Sequence, residues 1–598
     1  MVPKINNKRK QEEEEEEVYE EEDDQLDEED AEDYDGEDGG DDDEEQGEDE
    51  EDGEDGPSDK KKQKSDKEKT PRKTRAEKRE EKLVKKSKFD TSYETVYQAK
   101  LIWEQLKRVN LKKEEREPLA AQLFEKIQGK IKEIVVKHDG SRVVQTLLKY
   151  GNDQQRKQIY KELSGEEMRL SASQYGRFLV LKMLKYGNKE QRNAIISAFY
   201  GSIVKLVSNR ESAQIVEYIY SELADKIQKT SIIEEFYSDE YKLFKSKEAR
   251  TLEQLLAAHP NKKESIIKNL SKILTKLLST KGKGDMLVQY TLIQRLLVIF
   301  FEYSTPQNSI DMAETLSEIV LPMVHTKDGA LAAYYAVSYG SAKTRKTIIK
   351  SLKGFVEKVA NEEHSCLPLI RILDVTDDTL YVTKALLGEL LPKLPELASS
   401  KYGHLWILHI LQPYSPRYFS QYQIGLMKPN LKNVDGVETP VGKKTQELRR
   451  KELLDFVSPK LIDLCSNYTE QMFSSMWGAR VLNLTLKEAT GNKIILTNRI
   501  LDQITSNVEL LKQHGPNVQT LFKNDYIKNS DFAVNMFAKV KDNIIEYSKL
   551  QDNNLAYVLK DMIFNLPEAQ QKEADAIIKK NNLKNLVRAP PKQKKITK

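Results

Sequence analysis

A motif of fifteen residues recurs in this chain at an offset of 36 positions. Residues His138–Asn152 read HDGSRVVQTLLKYGN and residues Gln174–Asn188 read QYGRFLVLKMLKYGN, so that one glycine and the final Lys-Tyr-Gly-Asn coincide. Weaker copies occur at Arg210–Glu222, Lys247–Asn261, Lys327–Ser341, Ser400–Tyr414 and Met476–Thr490. Such a period is typical of helical solenoids, in which each unit has an apolar stripe that only its neighbours can cover.

Apolar residues at spacings of three and four predict helices along most of the chain after Tyr93. We therefore expect an all-α solenoid from about Tyr93 to Arg588, with no sheet of more than two short strands. Repeats are expected over residues 93–420 and 448–588. A cluster of Pro and Gly between them predicts a loop insertion over residues 421–447.

The two ends of the chain differ from this helical body in charge. Residues 1–57 form an acidic, low-complexity tail that is expected to be disordered, because it lacks the apolar residues of a core. Residues 58–92 form a basic linker, and residues 589–598 form a basic tail. Two basic clusters in the linker predict nuclear localisation signals: Lys60, Lys61, Lys62, Lys64, Arg72, Lys73 and Arg75.

The formal net charge of zero hides a strong segregation. Residues 12–55 contain 32 Asp and Glu and no Lys or Arg, which leaves 64 acidic against 96 basic residues in the remainder. A polycation of this size favours binding to polyanions, of which nucleic acid is the most abundant in a cell. For the acidic tail two roles stay open, a solvated solubility tail or an internal polyanion that competes with RNA for the basic body.

The sequence offers no catalytic or metal-binding pattern. Cys366 and Cys465 form no Cys-x-x-Cys pair, and His404 and His409 lie five positions apart, on different faces of a helix. Nucleotide-binding and hydrolase motifs are absent, and no apolar stretch is long enough to span a membrane. We expect neither an enzyme nor a cofactor, metal ion, small-molecule substrate or membrane partner.

Residues Gly140–Gln145, which read Gly-Ser-Arg-Val-Val-Gln, resemble the base-reading motif of the Pumilio-homology (PUF) family. The resemblance implies that Ser141 and Gln145 contact a base edge and that Arg142 stacks between bases. The other copies depart from this motif and imply only weaker RNA-binding residues: Arg177, Phe178, Arg250, Gln254, Arg480 and Asn483. Because a sequence-specific reader would have such a triplet in nearly every repeat, we expect poor base selectivity.

Several further segments are similar to the divergent Puf-A branch of this family, among them His325–Gly329, His364–Asp378 and Lys401–Phe419. The resemblance implies about eleven three-helix repeats in a bent solenoid. It also implies a protein of the nucleus and nucleolus that acts in ribosome biogenesis, in the processing and assembly of large-subunit pre-rRNA. Its implied partners are RNA, double-stranded DNA and pre-ribosomal proteins, and a fungal relative implies an additional role in repressing translation of mRNA.

A protein-binding α-solenoid of the HEAT or armadillo type, acting as a scaffold or chaperone, is the alternative. Such solenoids stack helices equally well, but their repeats are longer than 36 residues. Retention on RNA that weakens with salt distinguishes the two, because a protein scaffold has no reason to show it.

Overall fold

A computed structural model describes residues 93–108, 111–280, 282–427, 430–432, 438–550 and 552–583. The predicted acidic tail, the basic linker with its localisation signals and the basic C-terminal tail lie outside these residues. The chain divides into two compact units, of which the first ends at Leu223 and the second begins at Ala224.

The first unit is entirely helical within its described residues. Its α-helices are α1 (Tyr93–Leu106), α2 (Lys113–Ile127), α3 (Ile131–Ile134), α4 (His138–Tyr150), α5 (Asp153–Leu163), α6 (Glu167–Ser171), α7 (Gly176–Tyr186), α8 (Lys189–Phe199), α9 (Ile203–Val207) and α10 (Arg210–Tyr218). A π-helical turn, Ile219–Leu223, follows.

The second unit adds helices and one short hairpin. Its first α-helices are α11 (Lys226–Glu234), α12 (Glu240–Leu243), α13 (Leu252–Ala258), α14 (Lys263–Leu278), α15 (Lys283–Leu287), α16 (Thr291–Tyr303), α17 (Pro306–Leu316), α18 (Lys327–Tyr339), α19 (Ala342–Ser351), α20 (Val356–Asn361), α21 (Cys366–Val375), α22 (Thr379–Val382), α23 (Gly388–Leu390), α24 (Leu394–Ala398), α25 (Leu405–Leu411) and α26 (Gln421–Leu426). After strands β1 (Asn430–Lys432) and β2 (Glu438–Pro440) come α27 (Gln446–Asn467), α28 (Thr469–Ser474), α29 (Met476–Glu488), α30 (Ile494–Ser506), α31 (Val508–Gln519), α32 (Asp525–Lys528), α33 (Phe532–Val540), α34 (Ile544–Lys549), α35 (Asn553–Phe564) and α36 (Glu568–Lys580). Short 3₁₀ or π turns are Pro260–Lys262, Leu321–Met323, Thr383–Leu387, Leu391–Lys393, Leu521–Lys523 and Lys541–Asn543.

The predicted repeat is a unit of three helices. Helices α3, α4 and α5 form one copy, and α6, α7 and α8 form the next. Helices α4 and α7, which contain the two motif copies, pack against each other and bury the apolar stripes of both. The expectation of an all-α solenoid is therefore confirmed, and the only strands among the described residues are β1 and β2, which pair antiparallel.

The glycine shared by the two motif copies lies where the first helix of each repeat touches the second. A Cβ atom on Gly140 would lie 2.0 Å from the carbonyl oxygen of Ile134, and one on Gly176 would lie 2.5 Å from that of Leu170. Both distances are shorter than any van der Waals contact allows. Only glycine permits this approach of the two backbones, which explains why the motif begins with it.

The Lys-Tyr-Gly-Asn sequence ends one helix and starts the next. Asn152 and Asn188 are the N-caps of α5 and α8, and each forms a capping box with a glutamine three residues later, Gln155 or Gln191. These reciprocal hydrogen bonds satisfy backbone N–H groups that have no partner inside the helix. The connection between the two helices therefore needs only two residues, the glycine and the capping asparagine.

An arginine at the fourth position of the following helix completes this junction. Arg156 of α5 donates from Nε to the carbonyl of Leu148 (2.9 Å) and from Nη2 to that of Lys149 (3.1 Å). Arg192 of α8 donates from Nη2 alone, to the carbonyl of Lys185 (2.7 Å), and the buried Arg345 of α19 donates to three carbonyls, those of Val337, Ser338 and Val375. Each guanidinium satisfies carbonyls at a helix C-terminus, and its charge is favourable beside that end of the helix dipole.

The predicted loop insertion over residues 421–447 contains regular structure in place of a plain loop. Ser420 forms a capping box with Gln423, which starts α26, and β1 and β2 form a hairpin. The returning chain is held by Asp377, whose carboxylate accepts hydrogen bonds from the backbone N–H groups of Lys443 (2.7 Å) and Lys444 (3.1 Å). The end of the insertion is thus packed on the end of α21.

Two expectations about chemistry concern the described residues. Cys366 and Cys465 are both free and buried, and burial raises the pKa of each thiol to about 12. No group of three or more potential metal-ligating side chains occurs in the described part of the chain. None of the described helices combines the length and apolar character needed to cross a membrane.

Candidate nucleic-acid interface

The stacking residue of the first triplet, Arg142, lies on a surface shared by α4 and α1. Its guanidinium carbon is 5.8 Å from the ring centroid of Trp103, and the Lys107 ammonium group is 5.6 Å from the same centroid. Trp103 is fixed in turn, because its Nε1 donates a 2.8 Å hydrogen bond to Thr146 Oγ1 of α4. Two basic groups and a partly exposed indole therefore form one patch, which is suited to a base or a phosphate.

Sequence reasoning missed Trp103 and Lys107. Helix α1 contains neither the glycine nor the Lys-Tyr-Gly-Asn sequence of the repeats, yet it packs on α4 from the side opposite α7. It takes the place of a preceding repeat. An aromatic residue among basic residues just before the first clear repeat was the available signal.

The other two residues of the first triplet face the neighbouring repeat. Ser141 and Gln145 are both buried. The Ser141 hydroxyl donates to the carbonyl of Tyr175 in the next repeat (3.0 Å), and the Gln145 amide donates to the Ser141 hydroxyl (3.1 Å). Their contact with a base stays a prediction. In this structure the Ser141 hydroxyl joins two repeats, and Gln145 donates to that hydroxyl within the same helix.

The two weaker candidates in the second copy, Arg177 and Phe178, are both engaged within the protein. Arg177 forms a 2.6 Å ion pair with Glu211 of the third copy and lies 4.4 Å from the ring centroid of Phe178. Phe178 itself is buried. The guanidinium is thus neutralised by a carboxylate, and the phenyl ring packs in the core.

In the fourth copy the helix begins later than the alignment of the copies predicts. Thr251 is the N-cap of α13 and forms a capping box with Gln254, so Arg250 precedes the helix. The Arg250 side chain donates to Glu234 (2.6 Å), whose pairing raises the pKa of this guanidinium. Arg250 and Gln254 therefore do not share the helical face that Arg142 and Gln145 occupy, because the Thr-x-x-Gln cap sets a different start.

The copy at α18 is covered by the insertion. Tyr334, at the second edge position of this copy, is buried, and its hydroxyl donates a hydrogen bond to the carbonyl of Leu426 at the end of α26. At this copy, the edge position therefore contacts the end of α26 and is not open to a base.

The last copy, on α29, places predicted residues in the lining of a pocket. A pocket of about 410 Å³ lies between the turn after α25, helix α29 and the turn after α31, and its lining includes Tyr418, Arg480 and Asn483. The guanidinium carbon of Arg480 is 4.6 Å from the ring centroid of Trp477 and 5.9 Å from that of Tyr418. Arg480 is thereby held as a planar cation between two aromatic residues, which suits it for stacking.

The charge in this pocket is positive. Arg417, Arg480, Lys487 and Lys523 line it with a single acid, Asp525, which lies 3.9 Å from Lys487. Burial lowers the pKa of Arg480, and the charge of Arg417 acts in the same direction. An anion in the pocket would relieve this repulsion.

Asn483 again belongs to the contact between repeats. Its Nδ2 donates to the carbonyl of Thr520 (2.9 Å), and its own carbonyl accepts from Asn524 Nδ2 (2.7 Å). The stacking position Arg480 is therefore partly exposed while the edge position Asn483 is hydrogen-bonded to the next helix pair, as in the first repeat.

Three family profiles match the chain. A NOP9-like PUF repeat domain matches residues 80–178, a Pumilio-family RNA binding repeat matches residues 168–198, and a CPL (NUC119) domain matches residues 399–529. The first two lie in the first unit, and the third contains the pocket around Arg480.

Two relatives and one solved structure extend this result. Pumilio homolog 3 of Homo sapiens is 34% identical over 402 residues, which are 67% of this chain and 60% of the human protein. Pumilio homology domain family member 6 of Saccharomyces cerevisiae is 28% identical over 450 residues, 74% of this chain and 66% of that protein. The crystal structure of human Puf-A in complex with DNA is 30% identical and has a TM-score of 0.75, and the match covers 83% of this chain and 99% of that chain. The chain belongs to the Puf-A branch of the Pumilio-homology family.

Membership in the PUF family confirms the predicted resemblance and the predicted type of solenoid. The match spans only about 60% of the length of the human relative. Two of the three matched families are PUF repeat families, and no enzymatic family is indicated.

Proposed function

We propose that this PUF protein binds RNA mainly through phosphate contacts and stacked arginines, with little selection among bases, and that it binds duplex DNA in the same way. The first unit supports this with its charge: residues 93–223 contain 23 Lys and Arg against 16 Asp and Glu. Phosphate contacts by such residues release counterions and act on any sequence.

The observation that carries the proposal is the different placement of stacking and edge residues. Arg142 and Arg480 are partly exposed beside aromatic rings, whereas Ser141 and Asn483 are hydrogen-bonded across repeats and the buried Gln145 amide donates to Ser141. A side chain that stacks accepts every base, because every base has a π face. Selection among bases needs hydrogen bonds to their edges, and both the Ser141 hydroxyl and Asn483 Nδ2 already donate to carbonyls of the next repeat.

Titration of the full chain with several unrelated single-stranded RNAs of equal length and one DNA duplex, at two salt concentrations, tests this. We expect similar affinities for all RNAs, binding of the duplex, and a slope of log affinity against log salt of about 0.7 per phosphate contact for the single strands. A thousandfold preference for one short sequence that persists at high salt would contradict the proposal. Loss of any salt-dependent binding would favour the protein-binding scaffold instead.

The resemblance to the Puf-A branch supports a cellular role for this RNA binding. We propose that the protein acts in the nucleolus on pre-rRNA of the large ribosomal subunit, next to pre-ribosomal proteins, and that it also represses translation of particular mRNAs. Crosslinking in cells followed by sequencing of the attached RNA tests both roles. Reads concentrated in large-subunit pre-rRNA are expected, and a library without pre-rRNA would overturn the ribosomal role.

A further inference from the structure

A second surface of the first unit has the chemistry of an anion site, and no motif of the repeats predicts it. It is an open pocket of about 630 Å³ between the start of α2 and the junction of α4 and α5. Lys113, Arg116 and Lys149 line it together with Tyr150, and Glu117 and Asp153 are its acids. Its position at the ends of the helices separates it from Arg142 and Trp103.

Arg116 occupies the same place in its helix as the arginines that cap the helix junctions. It is the fourth residue of α2, as Arg156 is of α5 and Arg192 is of α8. Those two side chains donate to carbonyls at the end of the preceding helix. Among the described residues the Arg116 guanidinium donates to no such carbonyl, because α1 is joined to α2 by a longer connection than the two-residue link between α4 and α5.

In the described part of the chain the side chain of Arg116 has no hydrogen bond and no ion pair, and its Nε is buried without a partner. Its guanidinium carbon instead lies 4.7 Å from the ring centroid of Tyr150. A buried guanidinium nitrogen without an acceptor is costly, so an incoming oxyanion would supply what the other repeats take from carbonyls.

The surroundings of Arg116 favour a nucleotide as the source of that oxyanion. The Lys149 ammonium group lies 5.5 Å from the Tyr150 centroid, and Lys113 is exposed and unpaired in the described residues. Asp153 is already paired with Arg156 at 3.5 Å, which leaves Glu117 as the one acid opposing three basic groups. A partly exposed ring next to cations such as Lys113 and Arg116 is the combination that binds single-stranded nucleic acid, by stacking a base and neutralising its phosphate.

We propose that the pocket formed by Lys113, Arg116, Lys149 and Tyr150 binds an unpaired RNA nucleotide, with its phosphate at Arg116 and Lys113 and its base against Tyr150. This inference rests on the proposed RNA binding and adds a contact outside the helix faces that PUF repeats use to read bases. The RNA strand would therefore contact the helix ends in addition to the helix faces.

The test compares two double variants of the full chain that remove the same charge. Lys113→Gln with Arg116→Gln removes the proposed phosphate ligands, and Lys157→Gln with Lys161→Gln removes two exposed lysines of α5 that do not line the pocket. Affinity for a single-stranded RNA is measured at two salt concentrations. We expect the first variant to bind roughly four- to fifteenfold more weakly at 0.15 M salt, with a slope lower by about 0.7–1.4, as expected for one or two lost phosphate contacts.

The control variant is expected to change affinity less than twofold. Equal losses in both variants, or no loss in the first, would overturn the inference while leaving RNA binding itself intact. If the wild-type chain binds no RNA, the proposed function fails first. Should Arg116→Gln disturb the packing on Tyr150, Lys113→Gln alone decides the matter, because this side chain is exposed, and an unchanged affinity there would refute the site.

Discussion

The hydrogen bonds of Ser141 make a sharp prediction about stability and binding. This hydroxyl donates to the carbonyl of Tyr175 in the next repeat and accepts from the Gln145 amide. We expect Ser141→Ala to weaken the packing of α4 on the following repeat and to leave RNA affinity nearly unchanged. A base-reading serine would show the opposite pattern.

The magnitude follows from the groups that the substitution leaves behind. Alanine removes both hydrogen bonds, so the partly buried Tyr175 carbonyl and the buried Gln145 amide each lose a partner. Each buried polar group without a partner costs about 1–3 kcal/mol, and we expect the free energy of unfolding of the first unit to fall by roughly 2–4 kcal/mol. Gln145→Ala should cost less, since the bond from Ser141 to Tyr175 remains.

Urea unfolding followed by tryptophan fluorescence measures this change. The chain has three tryptophans, and replacing Trp406 and Trp477 by phenylalanine leaves Trp103, whose indole is hydrogen-bonded to α4. RNA affinity is measured on the same proteins under conditions where all are folded. A loss of affinity of more than tenfold without a loss of stability would show that Ser141 reads a base and that the reasoning is wrong.

Three further outcomes are expected. Arg142→Ala should weaken RNA binding by no more than one lost stack, about 1–3 kcal/mol, in equilibrium titrations, and complete loss of binding would contradict the dominance of phosphate contacts. Deletion of residues 58–88 should abolish nuclear accumulation of a fluorescent fusion, and unchanged localisation would reject the predicted import signals. Burial lowers the pKa of His404 to about 4, so the unfolded chain takes up a proton that the folded chain does not, and stability should fall as the pH decreases from about 6.5 towards 4. His404→Phe should remove this part of the pH dependence in urea unfolding, and an identical pH profile would contradict it.

The sequence predicted the features that depend on residues close together in the chain. The helices after Tyr93 and the glycine that begins each clear motif copy follow from local spacing, and the structure has them where expected. The start of α13 at Leu252 was also readable, because Thr251 and Gln254 have the spacing of a capping box. The alignment of copies overrode that signal and placed Arg250 within the helix.

The remaining features depend on which face of a helix meets which neighbour. Ser141 and Gln145 are four apart and therefore share a face, but their spacing does not tell whether that face meets the next repeat or the solvent. The cover over Tyr334 joins residues 92 positions apart and leaves no local trace in the sequence. Trp103 lies beside Arg142 because α1 packs on α4, and the sequence of α1 lacks the repeat motif that would have predicted this packing.

The weak base selectivity that we propose has an energetic reason in the construction of the repeats. For Ser141 or Asn483 to contact a base, it must first release a carbonyl of the neighbouring repeat, which would then lie buried without a donor. That loss is about 1–3 kcal/mol, the same range as the discrimination that a good base contact provides. A correct base therefore gains almost nothing over a wrong one at these positions. The affinity therefore comes from arginines beside aromatic rings and from phosphate contacts. Phosphate contacts weaken with salt, and neither kind of contact distinguishes one base from another.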